Sequence, residues 1–273
     1  MSKSEKKFRL RALASRLLSP GTKLAVREKL LQLIGDREID HASRLRIGSF
    51  GGFQVAYRQS TADESVLEES FGENIFFAGV PEYQPAETDV IVDVGAHIGT
   101  FAVLAASKVP RGTVYAIEAC EDSFRFLRIN AALNRLDNLS LHHLALFDRR
   151  GAFPLYYDSG NWGHSVVHQF SRRSELVECC TLQQFLDERD IQRCSFIKFN
   201  CEGAEFPILL SSPSELLRRR VDRMLVLYHC DLWTANTAED LISHLQASGF
   251  QCVVRNRSEE RGWIIAVNAD TAS

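Results

Sequence analysis

The chain has 273 residues, 45% of them hydrophobic and 25% charged, with a formal net charge of -3. This composition is that of an ordinary folded enzyme and excludes a disordered chain. The slight acidic balance gives no reason to expect nucleic acid as a partner, and no apolar run approaches the ~18–20 residues of a membrane-spanning helix.

The N-terminal stretch "MSKSEKKFRLRALASRLLSP" is basic but has no apolar core, so it does not read as a secretory signal. Seven cysteines include no C-x-x-C pair, and Cys179 and Cys180 are neighbours. That pattern suits neither a zinc site nor a disulfide framework and points to reduced thiols in a cytoplasmic protein.

Residues 1–40 are rich in Leu, Ala, Lys and Arg and predict two helices broken at Ser19-Pro20-Gly21. Their basic faces are expected in solvent; docking on a second copy, as a homodimer, or on a membrane surface is the alternative. "GGFQVAYRQ" predicts a short strand and "ESVLEESFGENIFFAG" a helical piece leading into the main domain. From Asp89 strands and helices alternate: "DVIVDVG", a helix from Thr100 to Ser107, "GTVYAIEA", a helix from Glu121 to about Asn138, and "LSLHHLAL". Residues 148–180 read as irregular, with "DSGNWGHS" as a loop. Thr181 and Gln184 then form a capping box, "CSFIKFN" a fourth strand, and Ser212-Pro213-Ser214-Glu215 opens a further helix. "DRMLVLYH" is a fifth strand, Asn236 with Glu239 starts a helix that ends at Gly249, and "FQCVVRN" and "WIIAVNA" close the chain as an antiparallel hairpin.

A mostly parallel α/β sheet with one reversed strand at the end is the plan of the Rossmann-like class I methyltransferases, with seven strands expected here. The turn "DVGAHIG" carries the chemistry. In a dinucleotide fingerprint a second glycine lets the backbone approach the pyrophosphate; His97 stands there and would crowd it. S-adenosylmethionine (SAM) has no phosphate. A loop for it needs close backbone approach at Gly95 and Gly99, with Ala96 and His97 between, and Asp93 can serve the ammonium end. Glu118 follows Gly95 by 23 residues, close to the ~20 expected of an acid that accepts from a ribose diol; Ala119 follows it. The turn near Ala145 and Leu146 is expected to flank the adenine. Lys198, Asn200 and Glu202 are expected to alternate along the fourth strand and face the crevice.

"VDVGAHIGTF", "VYAIEA", "FRFLRINAALN", "TLQQFLDE" and "IKFNCEGAE", in this order and spacing, resemble the FkbM family of SAM-dependent methyltransferases. The resemblance covers roughly Asp89 to Val267. It implies a methyltransferase domain over residues 86–273 behind an N-terminal extension over residues 1–85. It also implies SAM as cofactor and O-methylation of a hydroxyl on a sugar, a polyketide or a related secondary or surface metabolite, so the acceptor is a small molecule or glycan. The family usually carries Asn at the position of His97, Pro at Ala119, Asp at Asn200 and Glu at Leu227. Two crevice acids are thus neutral in this chain, which implies either a retuned acceptor site or a weakly active or inactive fold serving as a partner or scaffold.

His229, ending the fifth strand, is the first candidate for a general base, and Glu202 the second. Trp162, His164 and Ser165, on "GNWGHSVV", and Trp233 are candidates for acceptor contacts. No metal is expected, since Asn200 removes an acid from the place where such enzymes gather them.

Overall fold

A computed structural model describes residues 44–158 and 163–271. The two basic helices expected within residues 1–40 and Trp162 lie outside the described residues. The chain first makes a hairpin of β1 (Leu45–Phe50) and β2 (Phe53–Arg58), turned at Gly51 and Gly52 with φ of 56° and 92°. Two consecutive left-handed residues match the twist of the flanking strands. Only β2 was legible in the sequence, because Arg46, Gly48 and Ser49 dilute the apolar alternation of β1. A helix α1 (Asp63–Leu67) runs on as a π-helical turn to Gly72, and α2 (Ile75–Ala78) follows.

The expected β-α units come next: β3 (Val90–Val94), α3 (Thr100–Lys108), β4 (Thr113–Glu118), α4 (Glu121–Asn134) and β5 (Leu139–His143). Helix α4 stops four residues before Asn138, because Arg135 turns left-handed (φ 53°) at its end. The segment expected to be irregular is instead a second sheet. Here β6 (Ala145–Leu146) pairs in parallel with β8 (Ser174–Cys180), and β7 (Gly151–Tyr156) pairs antiparallel with β8. Pro154 lies within β7; a proline argues against an inner strand but fits this outer position. The single third strand expected at "LSLHHLAL" is therefore two, β5 in the main sheet and β6 in the small one.

After α5 (Leu182–Glu188), whose capping box of Thr181 and Gln184 forms as expected, come β9 (Phe196–Phe199), α6 (Glu205–Ser211) and α7 (Ser214–Arg220). The Ser212 box does not form: its hydroxyl donates back to the Ile208 carbonyl at 2.8 Å, and Pro213 precedes the helix without a side-chain cap. Then come β10 (Arg223–His229), α8 (Ala238–Ala247), β11 (Phe250–Arg255) and β12 (Arg261–Asn268). The cap of α8 is Thr237 with Asp240, one residue later than expected; Asn236 is taken by the Trp233 indole N–H at 3.1 Å.

The main sheet has seven strands in the order β11-β12-β10-β9-β3-β4-β5. All neighbouring pairs are parallel except those made by β12, which enters reversed between β10 and β11. Its inner strands are apolar on both faces, as a covered parallel sheet requires. Val92, Val94, Ile197 and Phe199 face the layer of α5, α6 and α8, where Phe185, Ile208 and Leu241 are buried. Ile91 and Phe196 face the layer of α2, α3 and α4, with Phe77, Phe101 and Leu127. The N-terminal hairpin caps this second layer: Val55 and Ala56 pack with Ile98, Phe126 and Ile129.

Candidate active site

The register of the sheet decides where the polar residues of the central strands go. Asp93 lies directly opposite Lys198, and both share the face of Ile91 and Phe196. The Lys198 Nζ donates to Asp93 Oδ1 at 2.7 Å and to the Gly95 carbonyl at 3.2 Å, and it sits 5.3 Å and 5.5 Å from the ring centres of Phe76 and Phe101. Asp93 is fully buried. The pair therefore anchors the loop from below; neither side chain faces the crevice.

Beyond Asp93 the loop turns tightly. The Gly95 and Ala96 amides both donate to the Ile117 carbonyl, at 3.0 Å and 2.9 Å, and Gly99 donates to Ala96 at 2.8 Å. Gly95, His97 and Gly99 are all left-handed, with φ of 78°, 54° and 86°. A Cβ on Gly95 would fall 1.9 Å from the Asn200 carbonyl oxygen, so this glycine is required by the approach of the loop to the end of β9. Glu118, at the end of β4, closes the turn. Its carboxylate accepts from the His97 amide at 2.7 Å and the Cys120 amide at 2.8 Å. Burial pushes its pKa up to about 7, against the pull of those two amides.

A cleft enclosing about 720 Å³, open solvent included, lies between this loop, the small sheet and the turn after β9. Gly95, His97, Glu118 and Ala119 form one end of it, and Ala145 and Leu146 a side wall. Asn200, Glu202 and His164 line the rest. Asp93, Ala96, Gly99, Ser165, His229 and Trp233 are not among the lining residues. The cleft also takes in side chains that sequence reasoning missed: Val66 from α1, Leu155 and Val166 from the segment read as irregular, and Cys201.

The turn after β9 carries the second group of ionisable residues. Glu202 and Gly203 are both left-handed (φ 52° and 95°). Ser165 is buried and holds this turn: its hydroxyl donates to the Glu202 carbonyl at 2.7 Å and accepts from the Val167 and His168 amides at 3.1 Å and 3.0 Å. It is thus a structural residue, not an acceptor contact. His164 accepts at Nδ1 from the Asp158 amide at 3.1 Å, and burial lowers its pKa to about 4, so it stays neutral. Trp233 packs against the helix-side core, away from the cleft.

His229 is buried behind Glu202 rather than on the cleft. Glu205, which sequence reasoning passed over, sets it in place. The Glu205 Oε1 accepts from the His229 amide at 2.7 Å and lies 2.9 Å from Nδ1 of the ring. The other oxygen accepts from the Gly203 amide at 3.1 Å and the Cys201 thiol at 3.5 Å. With Nδ1 committed, Nε2 points to Glu202, 3.8 Å away. Burial opposes a charge on His229, but the Glu205 carboxylate overrides it and holds the ring above its ordinary pKa. Burial also raises Glu202, with the His229 charge pulling the other way. The second acid of "EGAE" was in view; nothing in the sequence paired it with a histidine 24 residues on.

Residues 93–252 match the methyltransferase FkbM domain, more than half of the chain. The chain belongs to the FkbM methyltransferase family. It is a SAM-dependent methyltransferase by that membership. No curated protein matches it. Among solved structures, the FkbM methyltransferase of Methylobacillus flagellatus KT is similar over 90% of this chain and 59% of its own, at 12% identity and a TM-score of 0.50. The N-terminal domain of human METTL16 in complex with SAH covers 92% of this chain and 84% of its own, at 14% identity and a TM-score of 0.47. M. jannaschii TYW2 in complex with AdoMet covers 82% and 85%, at 16% identity and a TM-score of 0.42. In this FkbM domain the two neutral substitutions fall in different places: Asn200 is on the cleft, whereas Leu227 packs with the apolar layer of α3. No helix among the described residues is long and apolar enough to cross a membrane.

Proposed function

We propose that this FkbM domain methylates a hydroxyl of a small-molecule or glycan acceptor, such as a sugar or a polyketide. In this reading Glu202 is the base, and His229 and Glu205 are its positioning residues. One observation carries the reading: a buried Glu205–His229–Glu202 chain that ends on the wall of a cleft whose far end holds Glu118. The residues present fit an adenosyl group. Glu118 offers a carboxylate to a vicinal diol, and Ile117, Leu146 and Leu155 offer an apolar wall beside it.

The cofactor supplies an electrophilic methyl group on a sulfonium. The chain's own residues orient the acceptor and remove a proton. Glu202 would take the proton of the acceptor hydroxyl, and the methyl group that the bound cofactor supplies would pass to that oxygen. Burial raises Glu202 above a free carboxylate and so strengthens it as a base, with the charge on His229 pulling the other way. Glu205 fixes the tilt of His229 and stabilises its charge as a buried acid does in a catalytic triad. The bond from Ser165 to the Glu202 carbonyl braces the left-handed backbone from which the carboxylate leaves toward the cleft.

Titration calorimetry tests the cofactor assignment: S-adenosylhomocysteine should bind and NAD should not. Single-turnover assays with a panel of hydroxyl acceptors test the chemistry. Glu202→Gln should keep S-adenosylhomocysteine binding and lose turnover at least a hundredfold. Binding without turnover on any acceptor by the wild-type chain would favour the scaffold reading, and Asn200→Asp would then be the variant to examine for restored activity.

A further inference from the structure

The N-terminal hairpin and α1 lie outside the matched domain, yet one residue from each, Arg58 and Asp63, reaches the cofactor loop. Arg58 and Asp63 are fully buried. The guanidinium donates twice to the carboxylate, Nε to Oδ2 and NH2 to Oδ1, both at 2.9 Å, and the Arg58 amide adds a bond to Oδ2 at 2.7 Å. NH2 also donates to the Ser123 hydroxyl at 3.2 Å, and the guanidinium lies 4.9 Å from the centre of the Phe126 ring. The same NH2 is 3.4 Å from His97 Nε2, and Asp63 Oδ1 is 3.5 Å from it. His97 is the left-handed residue whose amide engages Glu118.

A second tie runs in parallel. The Asn130 side chain accepts from the Ala56 amide at 2.7 Å and donates to the carbonyls of Ala56, at 3.0 Å, and Ile98, at 2.7 Å. Hairpin and loop are thus joined at two consecutive loop residues, once by charge and once by an amide. A non-glycine residue at positive φ persists only where its surroundings hold it. The family's usual Asn tolerates that conformation by itself; histidine gains from being held.

We propose that Arg58 and Asp63 are positioning residues of the cofactor site. They hold the imidazole of His97, and through it the turn that presents the His97 amide to Glu118. The hairpin and α1 are then not a dispensable lead-in, and the working unit begins before the family domain. This inference rests on the cofactor assignment made above.

Calorimetric titration of S-adenosylhomocysteine into the full chain tests it, with His97→Ala, Arg58→Lys and the double variant. Arg58→Lys keeps the charge opposite Asp63 but removes the NH2 that faces the ring. Each single variant should weaken binding about tenfold, roughly 1.4 kcal/mol, and the double variant should be no weaker than either. Additive losses would mean a general structural role and overturn the proposal. Hydrogen exchange of the wild-type chain gives a reading that needs no variant of the buried pair. By reciprocity, bound S-adenosylhomocysteine should slow the amides of Phe53–Arg58 several-fold more than those of Phe250–Arg255 at the far sheet edge. Equal slowing would also overturn it. Failure of the wild-type chain to bind S-adenosylhomocysteine would instead remove the cofactor assignment itself.

Discussion

Replacing Glu205 with glutamine separates the electrostatic part of the site from its shape. In the wild-type chain the Glu205 carboxylate satisfies the His229 amide, the His229 ring, the Gly203 amide and the Cys201 thiol. A glutamine oxygen can still serve His229, but the new NH2 then faces the Gly203 amide, donor against donor. An unsatisfied buried amide costs about 1–3 kcal/mol, and the lost charge on the bond to His229 about 1.5–3 kcal/mol. Together they come to about 2.5–6 kcal/mol, which brackets the roughly 3–5 kcal/mol lost on removing one member of a buried pair. The two parts respond differently to pH. The His229 pKa is raised in the folded chain above its ordinary 6.5. The stability it contributes is therefore fully present below pH 6.5 and is lost as pH rises through the raised value. Urea unfolding of wild type and Glu205→Gln should show the full gap near pH 5.5 and only the amide part at high pH. A gap that stays constant over this range, or that never exceeds about 1 kcal/mol, would refute the ion pair as described.

Glu118→Gln should flatten the pH dependence of stability between pH 5 and 8, because burial raises this carboxyl to about 7 and the wild-type chain loses stability as it ionises; unfolding midpoints across that range check it. The same variant should weaken S-adenosylhomocysteine at least tenfold by calorimetry at pH 8. Gly163→Ala would place a Cβ 2.2 Å from Glu202 Cγ and Cδ, so turnover should fall at least tenfold while S-adenosylhomocysteine binding and the melting temperature stay near wild type. Gly95→Ala combines a left-handed φ with a clash against the Asn200 carbonyl; denaturant unfolding should show a loss above about 3 kcal/mol, and an unchanged midpoint would mean that the loop can move away from β9.

The chain order of the main sheet's strands and helices and the glycine loop were legible because both rest on local signals: apolar runs, caps and a turn with two glycines. The small sheet was not, because Pro154 reads as a break and the polar residues of "SELVECC" sit on its open face. Asp93 and Lys198 were misplaced for a related reason. In a strand buried on both sides the apolar residues carry no face label, so the side taken by a lone charge depends on its register against the next strand. The order of the candidate bases depended on a contact the sequence does not contain. His229 does end the fifth strand, but Glu205 draws it inward and leaves Glu202 at the cleft. Arg58 and Asp63 gave no signal at all, since the loop residue they share, His97, is distant in the chain, 39 residues from Arg58.

The reversed strand also has a consequence for how the enzyme is made. Because β12 lies between β10 and β11, residues 261–268 must leave the ribosome before the sheet can close. Until then β10, which ends in His229, presents an unpaired, apolar edge. Growing chains are exposed to aggregation or chaperone capture at that point, and pairing with β12 covers the edge of the strand that carries His229.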